Sequence, residues 1–233
     1  FPYGDYIYTE VKISSNGWIG LGTSQTGSNL TNNLASTSYV PIVAPLWDDC
    51  SLASGSCEYL VSGTAPNRIF TIQYTNLKWR YGATTFFNLQ VRLYENGKID
   101  FVYGSSTGDP NTPSASIGIN MLPGGSGWFY SITPGTPATA STTTENAIIA
   151  TWPGEGTIYE FNPVVAVPND LAALSITGNT TPTAEQSYDY VITVRNRGTN
   201  PQTTYQVKLL LGTQEIGSVN GTAIQAGEIL TFT

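Results

Sequence analysis

Trp47-Asp48-Asp49 is the stretch of this 233-residue chain richest in chemistry. Adjacent carboxylates on a loop, joined by Glu58 or by backbone carbonyls, could hold Ca²⁺, a hard cation that takes six to eight oxygen ligands. The competing role is a solvated loop whose Asp side chains cap turns. The spacing is not that of an EF-hand. A glycosidase would need two carboxylates facing each other across a cleft. Asp48, Asp49, Glu58, Glu95 and Asp100 are the candidates, and no spacing or flanking motif selects a pair. Glu95 sits beside a hairpin turn, and Asp100 is expected to face outward from its strand.

Histidine is absent. That removes the usual general base near neutral pH, the commonest metal ligand, and every Ser-His-Asp or Cys-His arrangement. No catalytic residue is therefore assigned, no cofactor is implied, and Ca²⁺ is the one metal candidate. Flat aromatic rings can also bind by stacking on sugar faces. Trp18 and Trp47 are read as core. Trp79-Arg80-Tyr81-Gly82 falls in a turn region between strands, so Trp79 and Tyr81, with Trp128 and Tyr130, are the candidate sugar-stacking rings. Cys50 and Cys57 flank a Ser/Gly loop and read as a disulfide staple that adds ~2 kcal/mol and implies an oxidising compartment. Asn29, Asn179 and Asn220 open glycosylation sequons.

The elements that must position these groups are strands. Turn residues interrupt the chain every ~8–12 residues, an all-β rhythm. Charge is low, with Lys+Arg 9, Asp+Glu 16 and a net charge of -7. No basic cluster exists to meet nucleic-acid phosphates or an anionic membrane surface, and no apolar run is long enough to span a bilayer. Tyr6–Ser14 and Gly17–Leu21 form a first pair around Asn16-Gly17. Val40–Trp47 is a continuous apolar strand whose Pro41 and Pro45 suggest an edge or a bulge. Arg68–Thr75 places Phe70, Ile72 and Tyr74 on one face. Phe87–Tyr94 alternates Leu89, Val91 and Leu93 with Asn88, Gln90 and Arg92. Asn96-Gly97 then turns the chain into Lys98–Tyr103, with Ile99, Phe101 and Tyr103 inward. Ala115–Asn120, Trp128–Ile132 and Thr157–Phe161 follow, and the Pro/Thr/Ser/Ala run Thr133–Thr144 is read as a surface loop.

A proline-bracketed linker at 163–170 divides a first domain, 1–162, from a second, 171–233. The second shows five strand patterns: Leu171–Thr177, Tyr188–Asn196, Tyr205–Leu211, Glu215–Val219 and Glu228–Thr233. An immunoglobulin-like sandwich needs about seven, so this domain is expected to be truncated, and the chain to be a piece of something longer.

Five motifs of the first domain carry a resemblance: Ser14-Ser15-Asn16-Gly17-Trp18-Ile19, Pro41-Ile42-Val43-Ala44-Pro45-Leu46-Trp47-Asp48-Asp49, Ala65-Pro66-Asn67-Arg68-Ile69-Phe70-Thr71-Ile72-Gln73-Tyr74, Phe87-Asn88-Leu89-Gln90-Val91-Arg92-Leu93-Tyr94-Glu95-Asn96-Gly97-Lys98-Ile99, and Ser116-Ile117-Gly118-Ile119-Asn120. In this order they resemble the NIDO-like (nidogen extracellular-like) β-sandwich module of secreted bacterial proteins. Asn169-Asp170-Leu171-Ala172, Val194-Arg195-Asn196-Arg197-Gly198 and Ala226-Gly227-Glu228 resemble CARDB, a bacterial cell-adhesion-related immunoglobulin-like domain. The resemblances imply two tandem β-sandwiches, jelly-roll-like and then immunoglobulin-like, in a secreted or cell-surface protein. The expected function is a non-catalytic module for adhesion, scaffolding or display, whose partners are other extracellular domains or glycans. The alternatives are a carbohydrate-binding module of a secreted hydrolase, and a filament subunit that associates through an open sheet edge and is completed by strand donation.

Overall fold

A computed structural model describes residues 1–23, 29–109, 114–163, 168–183 and 185–233. Residues 164–167, inside the expected linker, lie outside the described residues. The chain divides into two compact units, Phe1–Pro163 and Val164–Thr233. Both are built from strands alone, and no helix occurs among the described residues.

The first unit runs β1 (Pro2–Tyr3), β2 (Tyr6–Ile7), β3 (Val11–Ile13), β4 (Ile19–Leu21), β5 (Ile42–Trp47), β6 (Ser56–Ser62), β7 (Ile69–Lys78), β8 (Phe86–Tyr94), β9 (Ile99–Ser106), β10 (Ser116–Asn120), β11 (Phe129–Thr133), β12 (Thr139–Ser141) and β13 (Ile158–Phe161). These form a six-stranded sheet in the order β12-β11-β10-β5-β4-β3 and a five-stranded sheet in the order β13-β9-β8-β7-β6, with β1 and β2 as a small hairpin. The two sheets pack face to face. Ile19, Leu21, Val43, Leu46, Ile117 and Ile119 of the first meet Ile72, Tyr74, Leu89, Val91, Phe101 and Tyr103 of the second. The β8–β9 hairpin follows directly from its period-two pattern. Leu89, Val91, Leu93, Ile99, Phe101 and Tyr103 are all buried, and the left-handed Gly97 (φ +94°) makes the turn.

β5 is an interior strand between β4 and β10, not an edge. The bulge expected of its prolines is present, since Trp47 opposes Ser116 while Ala44 opposes Gly118. Side-chain alternation shifts by one across Pro45, which has no N–H to lend to the ladder. Val43 and Leu46 therefore face the main core. Ile42, Ala44 and Trp47 face a second cluster with Trp18, Leu34 and Phe129. The segment around Asn29 and Leu34 covers that outer face, and the indole N–H groups of Trp18 and Trp47 both donate to Asn29 O (3.0 and 3.1 Å). A strand buried on both faces reads as an unbroken apolar run. Gly17 closes this layer in the left-handed region (φ +72°), where a Cβ would fall on the Leu46 carbonyl oxygen.

Two strands correct the sequence reading. β6 occupies residues given no strand, and β12 lies inside the run read as a surface loop, where it pairs with the free edge of β11. β13 pairs with β9 and so returns to the first unit.

The second unit has β14 (Leu171–Thr177), β15 (Val191–Asn196), β16 (Gln206–Leu211), β17 (Gln214–Asn220) and β18 (Ile229–Phe232). β14, β15 and β18 form one sheet and β16–β17 a hairpin. Val194, Val207 and Phe232 are its buried apolar centre. Asn196 is also buried. Its amide donates to Asn200 O (2.8 Å) and Ile224 O (3.2 Å), and its Oδ1 accepts from Gly198 N (2.9 Å), which pins the Asn196-Arg197-Gly198 turn.

Candidate functional site

Asp48 sits just past the end of β5 and turns inward, only 5% exposed. Its Oδ2 accepts from the Trp79 indole N–H (3.0 Å) and from Ser114 Oγ (2.7 Å), and its Oδ1 accepts from Asp49 N (2.8 Å). The carboxylate is thus a buried hub tying β5 to the end of β7 and to the segment before β10. Glu58 stands exposed on β6 opposite Gln73, on the outer side of the five-stranded sheet. The expected calcium set of Asp48, Asp49 and Glu58 is therefore not assembled: Asp48 points into the protein and Glu58 away from it. Among the described residues no three His, Cys, Asp or Glu side chains gather as a metal site.

Of the other carboxylates considered for an acid pair, Glu95 and Asp100 are engaged. Glu95 takes the Arg68 guanidinium in a two-point pair (Nε–Oε2 2.9 Å, Nη2–Oε1 2.6 Å), and those hydrogen bonds lower its pKa to about 2. Asp100 does project from the outer face of β9, but it is buried there. Tyr94 donates its hydroxyl to it (2.7 Å), and Lys98 Nζ lies 3.1 Å away, shared with Glu160 (2.6 Å). Asp100 thus faces outward as expected, but in a covered ion pair.

Trp79 is a second correction. It is fully buried, edge-on to Phe87 (5.0 Å between ring centroids) and Trp152 (6.2 Å). The cause is a bulge. β7 extends to Lys78, and its register shifts between Tyr74 and Leu77, with Asn76 in the left-handed region (φ 53°). Strict alternation from Tyr74 would turn Asn76 and Lys78 inward; the bulge resets the phase, so Leu77 and Trp79 go in. Tyr81 is the ring left outside, 80% exposed, with its N–H held by Asp49 O (2.7 Å). Trp128 and Tyr130 are partly exposed at the start of β11. The candidate rings therefore divide between a turn after β7 of one sheet and β11 of the other.

Cys50 and Cys57 are free thiols, so the expected staple is not formed. Cys50 is buried in the core with its Sγ 3.6 Å from Leu46 O, while Cys57 is part of β6, paired opposite Tyr74. The loop between them is shortened by a strand that the composition did not announce. Burial raises both thiol pKa values, that of Cys50 well above the ordinary range. As free thiols, Cys50 and Cys57 do not point to an oxidising compartment.

Two polar groups without a forecast role hold the covering segment over β5. Glu145 accepts from Leu34 N (2.9 Å) and from Ser116 Oγ (2.6 Å). Asn120 donates to Leu34 O (3.0 Å) and Tyr39 O (2.9 Å) and accepts from Ile42 N (2.6 Å). The Gly118-Ile119-Asn120 motif was the available signal for Asn120; a lone Glu in a Thr-rich run gave none.

In the second unit, a cavity of about 520 Å³ opens between the hairpin and the three-stranded sheet, lined by Tyr188, Tyr190, Ile192, Val207, Ile216 and Phe232 among others. No helix among the described residues is long and apolar enough to cross a membrane.

Residues 1–163 match the family described as NIDO related. The chain belongs to that family. No curated protein and no solved structure matches it. The family match ends where the first unit ends, and it covers Asp48, Trp79 and Asn120.

Proposed function

We propose that this chain is a non-catalytic module of an extracellular or cell-surface protein and serves adhesion, scaffolding or display. The carrying observation is the NIDO-related match across the whole first unit. The fate of the acid groups supports it: Asp48, Glu95, Asp100 and Glu145 are each spent on a scaffold hydrogen bond or ion pair. The second unit is proposed as CARDB-like on the strength of its Asn196-Arg197-Gly198 turn. Its partners are other extracellular domains or glycans, and neither nucleic acid nor bilayer insertion is part of this reading. The test is display of the chain on a non-adhesive carrier cell, scored for attachment to immobilised extracellular proteins and glycans. Attachment above the bare carrier supports the reading, and attachment equal to it rejects adhesion.

The second reading, a carbohydrate-binding module, is favoured by the exposure of Tyr81. Micromolar binding on a glycan array that Tyr81→Ala or Trp128→Ala abolishes would establish it. Binding indifferent to both would remove the stacking-ring argument.

A further inference from the structure

The five-stranded sheet ends in β6, and β6 is an unusual edge. It pairs with β7 over seven consecutive residues without a bulge, from Ser56 opposite Thr75 to Ser62 opposite Ile69. Alternate residues of such a strand turn their N–H and C=O groups away from the sheet. Exposed edges are normally blunted by shortness, proline, lysine or a bulge. The other edges of the first unit follow that rule. β3 and β12 are three residues each, β3 carries Lys12, and β13 is four residues and carries Glu160. β6 has none of these devices. It has one charge, Glu58, and its centre is apolar and uncovered: Tyr59 is 69%, Leu60 64% and Val61 54% exposed. Tyr59 opposes the buried Ile72, so it lies on the core-facing side of the sheet. There it overhangs the sandwich and stacks on Phe70 (5.4 Å).

We infer that β6 is a self-association edge whose occupant is β6 of a second copy of this chain, antiparallel, joining two five-stranded sheets into one. Symmetry, charge and the number of residues paired together select the register, since an axis at Leu60 would leave Ser56 and Cys57 without partners. A two-fold axis between antiparallel neighbours stands perpendicular to the sheet, so paired residues must share a face and the axis must pass through a residue pair. An axis at Glu58 would set two carboxylates against each other. An axis at Tyr59 pairs all seven residues: Ser56 with Ser62, Cys57 with Val61, and Glu58 with Leu60. It also brings the two Tyr59–Phe70 stacks together on one face, and no like charges meet. An edge of this length is a small interface, so the dimer is weak and reversible.

Sedimentation equilibrium of the 233-residue chain up to submillimolar concentration tests it. The expected result is a reversible rise from 25.0 kDa toward twice that mass. Leu60→Glu puts a second carboxylate opposite Glu58 of the other copy and is expected to weaken the dimer at least tenfold. Leu60→Lys puts an ammonium there and is expected to keep or tighten it. Position 60 is exposed, and a far-UV spectrum and thermal midpoint matching the parent confirm that each variant is folded. A monomer at every concentration overturns the proposal. So does a dimer indifferent to Leu60→Glu, or one lost equally in Leu60→Lys.

Discussion

Replacing Asp48 separates a structural carboxylate from a metal-binding one. The Trp79 indole is fully buried, and its N–H has Asp48 Oδ2 as acceptor at 3.0 Å. Asp48→Ala leaves that donor without a partner, which costs roughly 1–3 kcal/mol for a buried group, and it also deletes packed atoms. Ser114 and Asp49 are only half-buried and can turn to water. The sum is a loss of ~2–4 kcal/mol, a large part of the 5–15 kcal/mol typical of a domain. Asp48→Asn keeps the volume and one oxygen. Whichever way the amide lies, one donor faces another donor, and the expected cost is about 1 kcal/mol. All five tryptophans lie within residues 1–163, so urea unfolding followed by tryptophan fluorescence reads this unit alone. Trp79→Phe completes a double-mutant cycle, with Asp48→Asn and Trp79→Phe coupled by about 1 kcal/mol. Two results would refute the reasoning. One is an Asp48→Ala midpoint equal to the parent's. The other is a parent midpoint raised by millimolar Ca²⁺ when that of Asp48→Asn is not.

Gly17→Ala should destabilise the first unit by more than ~3 kcal/mol, because both the left-handed φ and the Leu46 carbonyl oppose a Cβ; denaturant titration measures it. Native alkylation followed by intact mass should find Cys50 unmodified and Cys57 slow, because burial withholds both thiolates. After unfolding without reductant, both should be modified. Glu95 has its folded pKa depressed from 4.5 to about 2. Its pair with Arg68 therefore contributes stability that is fully present above pH 4.5 and is lost as pH falls toward 2. Thermal midpoints of Glu95→Gln should show a shallower acid limb than the parent over that window, and the two curves should run parallel at higher pH.

What the sequence made legible was whatever one buried face imposes on a strand. β8 and β9 read correctly because each has a covered side and a wet side, and Asn96-Gly97 allows one turn geometry. β5 read as a strand because both its faces are covered, although the proline at its bulge suggested an edge as readily as an interior position. β6 was illegible for the opposite reason. Its core-facing side overhangs the sandwich, so Cys57, Tyr59 and Val61 answer to no covering layer, and Ser-Cys-Glu-Tyr-Leu-Val-Ser has no enforced alternation. Trp79 was misplaced by a single bulged residue, because alternation carries phase and one insertion inverts every side chain after it. The hub at Asp48 lay in view as Trp47-Asp48-Asp49. Adjacent acids carry no information about which way each points, and the direction was decided by an indole thirty-one residues later.

The same division bears on where this unit can meet anything else. The six-stranded sheet is covered on both sides around β5, where Trp18, Trp47, Leu34 and Phe129 fill its outer layer. The outer face of the five-stranded sheet is uncovered, but a row of its polar groups already bonds together. Arg92 donates to Gln90 Oε1 (3.0 and 2.7 Å), and Gln90 donates to Gln73 Oε1 (2.6 Å), a row running across β8 and β7. A ligand reading that row would have to break bonds before making its own, and exchanging one set of polar contacts for another yields little net affinity. Among the described residues, the Tyr81 ring and the outward backbone of β6 stand outside that row. Both offer a partner surface and shape, and it is on contacts of that kind that the non-catalytic reading proposed above relies.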